Sequence, residues 1–270
     1  DSLHLARCAV NAETMQTNKH KIVPAVEPRK VHIIGGGIGG MEAARVLKLR
    51  GHEPVIYEKA GELGGAFIAA GAESYKGKLR DLLAWYKKQM ADLKIEVHLN
   101  TEIKDISEFA GRHVIVATGS KARVLKKVPG HEKMIEACEF LNGAEVGETV
   151  AVIGGGLTGC EIAYELALQC KKPIIVEMKD DLVSQKGVCL ANSSYLREWF
   201  ALHEVPVYLE TTLKEVQDGK ILCKDKSGMD IKIKCDSVIS SAGYISNPLT
   251  KKGKNVYLVG DCKEIGNLRT

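Results

Sequence analysis

Apolar and polar positions along the chain form a pattern that is clearest between Val31 and Lys59. There, a short apolar run is followed by a glycine-rich stretch, an alanine-containing segment with helical spacing, and a second apolar run that ends at Glu58. Short uninterrupted apolar runs are typical of strands buried in a parallel sheet, and the spaced segment between them predicts a connecting helix. This order predicts a β-α-β unit.

The same pattern occurs a second time, without a gap, over residues 150–178. Each copy has a G-x-G-x-x-G stretch after its first apolar run and an acidic residue at the end of its second. Later segments also repeat: 93–106 resembles 203–216, each an alternating pattern that predicts a strand, and 113–120 resembles 237–244, each a buried strand ending in small residues and a glycine. The repetition predicts two homologous α/β domains, each with its own nucleotide.

The glycines and the acidic residues of the two copies have separate physical roles. The first glycine permits a tight turn from strand to helix, the second lets the backbone approach a pyrophosphate, and the third lets the helix pack on the strand. Free N–H groups and the helix dipole then favour phosphate. Glu58 and Glu177 are placed to accept hydrogen bonds from an adenosine ribose and to repel a 2′-phosphate, which indicates NAD rather than NADP at the second site.

Composition and charge narrow the class of protein. With 45% hydrophobic and 27% charged residues the chain is predicted to be globular, and its net charge of +4 is spread without a basic block, which argues against a nucleic-acid partner. The longest uncharged run, 237–250, is shorter than the roughly 20 residues that span a bilayer, so neither a transmembrane helix nor a membrane partner is expected. Eight cysteines without a C-x-x-C pair or disulfide-like spacing favour a cytoplasmic location.

Four motifs resemble those of the flavoprotein reductases with two dinucleotide-binding domains, one for FAD and one for NAD(P)H. In the family's order they are the first glycine loop with Glu58, the turn at 63–65, the strand end at 117–119, and the pair at 260–261, whose aspartate would bind the FAD ribityl chain. The residues that the resemblance assigns to FAD are Gly35, Gly37, Ile38, Gly39, Gly40, Glu58, Lys59, Gly64, Gly65, Ala117, Thr118, Gly119 and Asp261.

The second repeat is assigned to NAD(H) by the same resemblance. Its candidate residues are Gly154, Gly156, Leu157, Thr158, Gly159, Glu161, Glu177 and Gly243, with Glu161 either near the nicotinamide or simply a first-turn acid favoured by the helix dipole. The resemblance implies an α/β fold with two Rossmann-like domains, the NAD domain inserted within the FAD domain. The expected boundaries are an arm at 1–27, an FAD-binding domain at 28–142 and 252–270, and an NAD(P)-binding domain at 143–251.

The first residues resemble a narrower subgroup. Cys8-Ala9-Val10-Asn11, followed by a polar stretch, is similar to a junction in NADH:flavin oxidoreductases related to old yellow enzyme, such as 2,4-dienoyl-CoA reductase, enoate reductase and trimethylamine dehydrogenase. In those enzymes an FMN-bearing barrel and an iron–sulfur cluster come first. The resemblance implies that an N-terminal FMN barrel domain is missing here, and that Cys8 is the fourth iron–sulfur ligand in the full-length protein only.

The function expected from the resemblance is an electron-input module. It would accept hydride from NADH on FAD and pass electrons to the FMN and iron–sulfur portion. No catalytic residue is assigned, because hydride transfer between cofactors needs no acid–base group. Two alternatives stay open: a non-catalytic scaffold that holds ADP instead of FAD, as in trimethylamine dehydrogenase-like enzymes, and a stand-alone NADH oxidase or diaphorase. A homo-oligomer is also left open.

Overall fold

The computed structural model describes residues 8, 10, 11, 13–185 and 187–268, so part of the predicted N-terminal arm lies outside the described residues. The strands are β1 (Lys30–Ile34), β2 (Glu53–Tyr57), β3 (Glu96–His98), β4 (His113–Val116), β5 (Ser120–Ala122), β6 (Ile135–Glu136), β7 (Thr149–Ile153), β8 (Lys172–Val176), β9 (Val207–Tyr208), β10 (Thr212–Gln217), β11 (Lys220–Lys224), β12 (Asp230–Lys234), β13 (Ser237–Ser240), β14 (Tyr244–Ser246) and β15 (Val256–Leu258). The α-helices are α1 (Ile38–Leu49), α2 (Ala66–Ala70), α3 (Gly77–Asp92), α4 (Ala137–Leu141), α5 (Leu157–Leu168) and α6 (Leu190–Leu202). Short 3₁₀ turns lie at Ser107–Phe109, His131–Lys133 and Gly260–Cys262.

Two compact units make up the described chain. The first contains the described residues up to Gly71, Lys76–Lys121, and the described residues from Ile245 onward. The second contains Ala72–Tyr75 and Ala122–Tyr244, and is therefore inserted in the first along the chain. The predicted α/β fold class, with one Rossmann-like domain inserted within the other, is confirmed.

The observed unit boundaries differ from the predicted domain boundaries at residues 122–142. The prediction assigned this segment to the first domain, whereas it packs in the second unit. The reason is that β6 pairs with β13, and that Leu125, Val128 and Met134 pack against an apolar cluster of the second unit. The short segments 72–75 and 245–251 also fall on the opposite side of the boundary from the prediction.

The first unit is built on a parallel sheet with the strand order β15-β4-β1-β2-β3. The middle strand, β1, has the apolar run that the sequence pattern assigns to a buried strand, and Ile33 is fully buried. One face packs against α1 and α3 through Met41, Ala44 and Met90. The other face packs against Phe109 and neighbouring apolar side chains.

The second unit repeats this plan with the parallel order β6-β13-β7-β8-β9. Its core on one face joins α5 and α6 to the sheet, with Phe200 among its largest buried side chains. The other face is covered by an antiparallel sheet, β10-β11-β12. Strands β11 and β12 of this sheet form a hairpin, in whose turn the Asp225 carboxylate accepts the N–H groups of Ser227 and Met229.

The alternating segments 93–106 and 203–216 do not form the continuous strands that were predicted. Strand β3 ends at His98 and β9 ends at Tyr208, and two residues later the backbone turns with positive φ at Asn100 (52°) and Glu210 (48°). The backbone N–H groups of these two residues form hydrogen bonds to the turns that follow β2 and β8. The Asn100 N–H donates to the Ala60 carbonyl at 2.9 Å, and the Glu210 N–H donates to the Lys179 carbonyl at 2.8 Å. Both expected strands are broken at equivalent positions for this reason.

Within the described residues, no helix combines the length and the apolar character needed to cross a bilayer.

Candidate dinucleotide-binding sites

The turn from β1 to α1 can be made only by glycine at two points. Gly35 has a φ of 111°, and a β-carbon there would collide with the carbonyl oxygen of Ala117. A β-carbon on Gly40 would collide with the carbonyl oxygen of Gly35 itself. Strand β4, helix α1 and the glycine loop therefore approach more closely than any side chain allows.

The N-terminus of α1 is open to an anion. Its N-cap residue is Gly37, and no side chain caps the helix. The first intrahelical bond runs from the Met41 N–H to the Gly37 carbonyl at 2.9 Å, so the N–H groups of Ile38, Gly39 and Gly40 have no acceptor in the preceding turn. A β-carbon on Gly37 would meet only the Gly64 carbonyl oxygen, at 3.9 Å. The space and the donors suit a pyrophosphate.

The other predicted motifs of the first unit converge on this loop. Gly64 forms an isolated parallel bridge with Gly37, and its N–H donates to the Gly36 carbonyl at 2.9 Å. Gly65 has a φ of 53°, and its β-carbon would lie 3.3 Å from the Gly37 Cα. A β-carbon on Gly39 would lie 3.7 Å from the Cα of Gly260. Segments distant in sequence thus surround one helix N-terminus.

The remaining FAD candidates lie around the ends of β4 and β15. The carboxylate of Asp261 accepts the Ser120 hydroxyl at 3.2 Å and the Gly266 N–H at 3.1 Å. The Thr118 hydroxyl donates to the Asn247 carbonyl at 2.7 Å, and Gly119 has a φ of 67°. Lys59, by contrast, is exposed.

Glu58 ends the strand next to the loop and is buried, with 6% of its surface exposed. Its Oε2 accepts the Gly36 N–H at 2.6 Å, and its Oε1 accepts the Ala60 N–H at 2.8 Å. Each carboxylate oxygen keeps a further lone pair, so the anchored side chain can still accept from ribose hydroxyl groups. These residues fit the adenosine and pyrophosphate parts of FAD or of ADP.

The second unit reproduces this geometry at the end of β7. Gly154 has a φ of 110°, its β-carbon would collide with the Ser241 carbonyl oxygen, and a β-carbon on Gly159 would collide with the carbonyl oxygen of Gly154. Gly156 is the N-cap of α5, again without a side-chain cap. Glu177 is 7% exposed.

The carboxylate of Glu177 is held as that of Glu58 is held. Its Oε2 accepts the Gly155 N–H at 2.6 Å, and its Oε1 accepts the Lys179 N–H at 2.8 Å. A second adenine dinucleotide fits this loop by the same physical argument. The preference for NAD over NADP that the sequence assigns to Glu177 stays a prediction.

The other NAD candidates lie on α5 and beyond β13. Leu157 and Thr158 begin α5 and are half-buried, and Glu161 follows on the same helix. Gly243 is exposed, with a φ of 87°, and its carbonyl accepts the Arg123 N–H at 2.9 Å.

Cys160, on α5 beside this loop, is fully buried, and its thiol donates to the Gly155 carbonyl at 3.3 Å. Burial raises the pKa of this thiol to about 12, so it stays protonated near neutral pH. All eight cysteines are free thiols. The described residues therefore contain no disulfide of the kind that disulfide reductases use.

Sequence reasoning missed part of the loop that follows β8. Leu182 packs on Gly155 as Leu63 packs on Gly36, and the Val183 N–H donates to the Gly155 carbonyl at 2.8 Å. Extending the alignment of the two repeats by a few residues would have paired these leucines. The side chain of Gln185, which lies near Gly156, has no counterpart in the first unit and left no such signal.

Cys8 is half-buried and free. No group of three or more His, Cys, Asp or Glu side chains among the described residues could hold a metal ion. The iron–sulfur role assigned to Cys8 in the full-length protein stays a prediction.

Comparison with known proteins identifies the family of this chain. The sequence profile described as pyridine nucleotide-disulphide oxidoreductase matches residues 29–263. The fold and the paired glycine loops define the class as a two-domain, nucleotide-linked flavoprotein oxidoreductase. The chain belongs to the pyridine nucleotide-disulphide oxidoreductase family.

Several relatives match almost the whole chain. Cinnamate reductase from Clostridium sporogenes is 35% identical, over 97% of this chain and 40% of its own length. Bilirubin reductase from Mediterraneibacter gnavus is 31% identical, over 95% of this chain and 41% of its own length. A 2-naphthoyl-CoA reductase in complex with 2-naphthoyl-CoA superimposes with a TM-score of 0.86 at 26% identity, covering 97% of this chain and 41% of that one. The chain thus spans about two fifths of the length of each of these three relatives.

Proposed function

We propose that this chain is the NADH-oxidising module of a longer oxidoreductase, with FAD in the first unit and NADH in the second. The observation that carries the proposal is the duplicated site: in each unit an uncapped helix begins at a glycine loop beside a buried, doubly anchored glutamate. A chain that bound a single nucleotide would need only one such site. When bound, FAD supplies the hydride-accepting chemistry, which belongs to the cofactor rather than to the protein.

In the first unit, the N-terminus of α1 binds the pyrophosphate of FAD through the N–H groups of residues 38–40. Glu58 accepts hydrogen bonds from the adenosine ribose, and its bonds to Gly36 and Ala60 fix its orientation. Asp261 is held by Ser120 and Gly266 and orients the ribityl chain. These residues bind and position, and none of them transfers a proton.

In the second unit, α5 and Glu177 bind NADH in the same way. The negative charge of Glu177 favours NADH over NADPH, because a 2′-phosphate would be brought against a carboxylate with little exposure to water. Glu161, on the same helix, is the candidate for contact with the nicotinamide.

Electrons are proposed to leave this module for a portion that contains FMN and an iron–sulfur cluster. The lengths of the relatives support the existence of a further portion, because cinnamate reductase and bilirubin reductase are each more than twice as long as the part that matches here. Cys8 would complete the cluster ligands only within that longer protein. The substrate that is finally reduced depends on that portion.

The test of cofactor identity is to denature the purified protein and identify the released nucleotide by chromatography and mass spectrometry. FAD, in about one equivalent per chain, is expected. Release of ADP alone would reject the flavin module and support the scaffold alternative. Rapid oxygen consumption by the isolated chain with NADH would instead favour a stand-alone NADH oxidase, an activity for which a relative from Thermoanaerobacter brockii is named.

A further inference from the structure

The turn after β8 lies along the second glycine loop and is fixed to it. The Val183 N–H donates to the Gly155 carbonyl at 2.8 Å, and a β-carbon on Gly155 would lie 2.5 Å from the Leu182 Cδ2. Both Leu182 and Val183 are buried in the core of the second unit. The backbone of this turn is therefore set by the core beneath it.

Arg197 on α6 holds the same turn from the other side. Its Nε and Nη2 donate to the Leu182 carbonyl at 2.9 and 2.6 Å, and its Nη2 lies 2.8 Å from the Asp181 carboxylate. With this support, Val183 adopts a φ of 49°, a region that β-branched residues rarely enter. The direction in which the chain leaves Val183 is accordingly well defined.

This geometry brings the side chain of Gln185 to Gly156, the N-cap of α5. A β-carbon on Gly156 would lie 3.6 Å from the Gln185 Oε1 and 3.7 Å from its Nε2, and these are its nearest neighbours. At the equivalent point of the first unit, a β-carbon on Gly37 would meet only a backbone carbonyl, at 3.9 Å. One glycine loop thus faces backbone, and the other faces a primary amide.

We propose that the Gln185 side chain is a binding residue of the second site that donates a hydrogen bond to the pyrophosphate of the dinucleotide. The amide carries two N–H donors and no charge, so it can join the N–H groups of α5 without the desolvation cost of a buried ion. Its terminal torsion is soft, which lets the amide turn its donors toward a phosphate oxygen. The inference rests on the proposed function, because it takes the second unit as the NADH site.

An amide side chain also suits a site that must exchange its ligand. Gln185 is exposed, so it can swing aside as the dinucleotide enters or leaves. The corresponding turn of the first unit is made by the backbone of Gly64 and Gly65, which cannot do this. The asymmetry matches a retained flavin in one unit and an exchanged nicotinamide dinucleotide in the other.

The test compares ligands with and without the pyrophosphate. Protein saturated with FAD, so that the first site is filled, is titrated calorimetrically with ADP and with adenosine. We expect Gln185→Ala to raise the Kd for ADP about ten-fold, which corresponds to one hydrogen bond to a charged group. Gln185→Glu should raise it further by repelling the phosphates, and neither variant should change the Kd for adenosine. Ser184→Ala, at the exposed neighbour, is the matched control and should bind both ligands as the wild type does.

Each other outcome overturns the inference. An unchanged Kd for ADP in Gln185→Ala would show that the amide does not contact the phosphates, and equal losses for ADP and adenosine would show that it acts on the shape of the loop. A wild-type protein that binds no ADP would overturn it as well. The expected binding pattern, together with a flavin that NADH does not reduce, would keep the inference and reject the proposed reductase function.

Discussion

At the scale of single residues, Glu58 and Glu177 explain why the two sites have the same shape. Each carboxylate is buried and accepts one N–H from its own glycine loop and one from the turn that follows its strand. The residue therefore orders the loop before any ligand arrives. Under the proposed function, the same carboxylate would also accept hydrogen bonds from the ribose, so one side chain would both order the loop and select the ligand.

Replacing Glu177 should weaken the binding of NADH and reduce the preference for NADH over NADPH. In Glu177→Gln the amide nitrogen must face the N–H of either Gly155 or Lys179, and the negative charge is lost. We expect KM for NADH to rise about ten-fold and the preference for NADH over NADPH to fall, as measured by the ratio of kcat/KM values. Glu198→Gln, at an exposed position on α6, should leave that ratio unchanged. An unaltered ratio in Glu177→Gln would contradict the assignment.

His32 makes the stability of the first unit depend on pH. The residue is 3% exposed, its Nδ1 lies 3.1 Å from the Tyr57 hydroxyl, and burial, aided by the positive charges of Arg112 and Lys30, lowers the pKa of the imidazole below its ordinary 6.5. The unfolded chain therefore binds the proton first as the pH falls. The contribution of the neutral His32 imidazole to the free energy of unfolding is therefore complete above about pH 6.5. It is lost as the pH falls through the lower pKa of the folded state.

Urea unfolding at a series of pH values checks this prediction. Between pH 7 and pH 5, we expect the free energy of unfolding to fall more steeply in the wild type than in His32→Gln, which cannot take up the proton. The exposed His20 offers a control, since His20→Gln should keep the wild-type slope. Equal slopes in the wild type and His32→Gln would rule out the proposed role of His32.

At the scale of elements, the strand–turn–helix unit depends on close backbone contact. In both copies the third glycine lies against the carbonyl oxygen of the first, so that the helix begins directly on the strand end. The energy that holds the helix comes from the apolar face below, where Ile162 and Leu166 of α5 are fully buried. The role of the glycines is to leave room for this contact, because any side chain at the third position would collide with the backbone.

Gly159→Ala should therefore destabilise the protein by about 3 kcal/mol, because the added methyl group collides with backbone that cannot move without unpairing β7. Gly77→Ala is the control: it lies at the start of α3, its β-carbon would come no closer than 3.7 Å to an arginine side chain, and alanine is the better helix former. Chemical unfolding should find Gly77→Ala within about 0.5 kcal/mol of the wild type. Comparable losses in the two variants would refute the close-contact argument.

Many of the strands and helices could be predicted from the sequence, because the spacing of hydrophobic positions and of glycines is a local signal. The β-α-β units and the position of each acidic residue follow from them. The turns at Asn100 and Glu210 could not be predicted, since their N–H groups bond to carbonyls of distant turns. The position of Gln185 beside Gly156 could not be predicted for a similar reason. It is set by Arg197 and by buried residues of the core, not by its neighbours in sequence.

At the scale of the whole molecule, the chain consists of two copies of one plan, with different additions. The second copy carries the antiparallel sheet β10-β11-β12 and the side chain of Gln185, and the first carries the turn at Gly64-Gly65 and the converging Gly260-Asp261. The repetition could be recognised from sequence, whereas the transfer of residues 122–142 to the second unit required the pairing of β6 with β13. The chain spans about two fifths of the length of cinnamate reductase and of bilirubin reductase, so the input of electrons to a longer enzyme stays a proposal.

The most direct test of this account is an anaerobic titration of the FAD-containing protein with NADH, followed by visible absorbance. The account predicts that the flavin bands bleach with about one equivalent of NADH per flavin, and that NADPH is much less effective. A flavin spectrum that stays unchanged with excess NADH would contradict the proposal that this chain oxidises NADH.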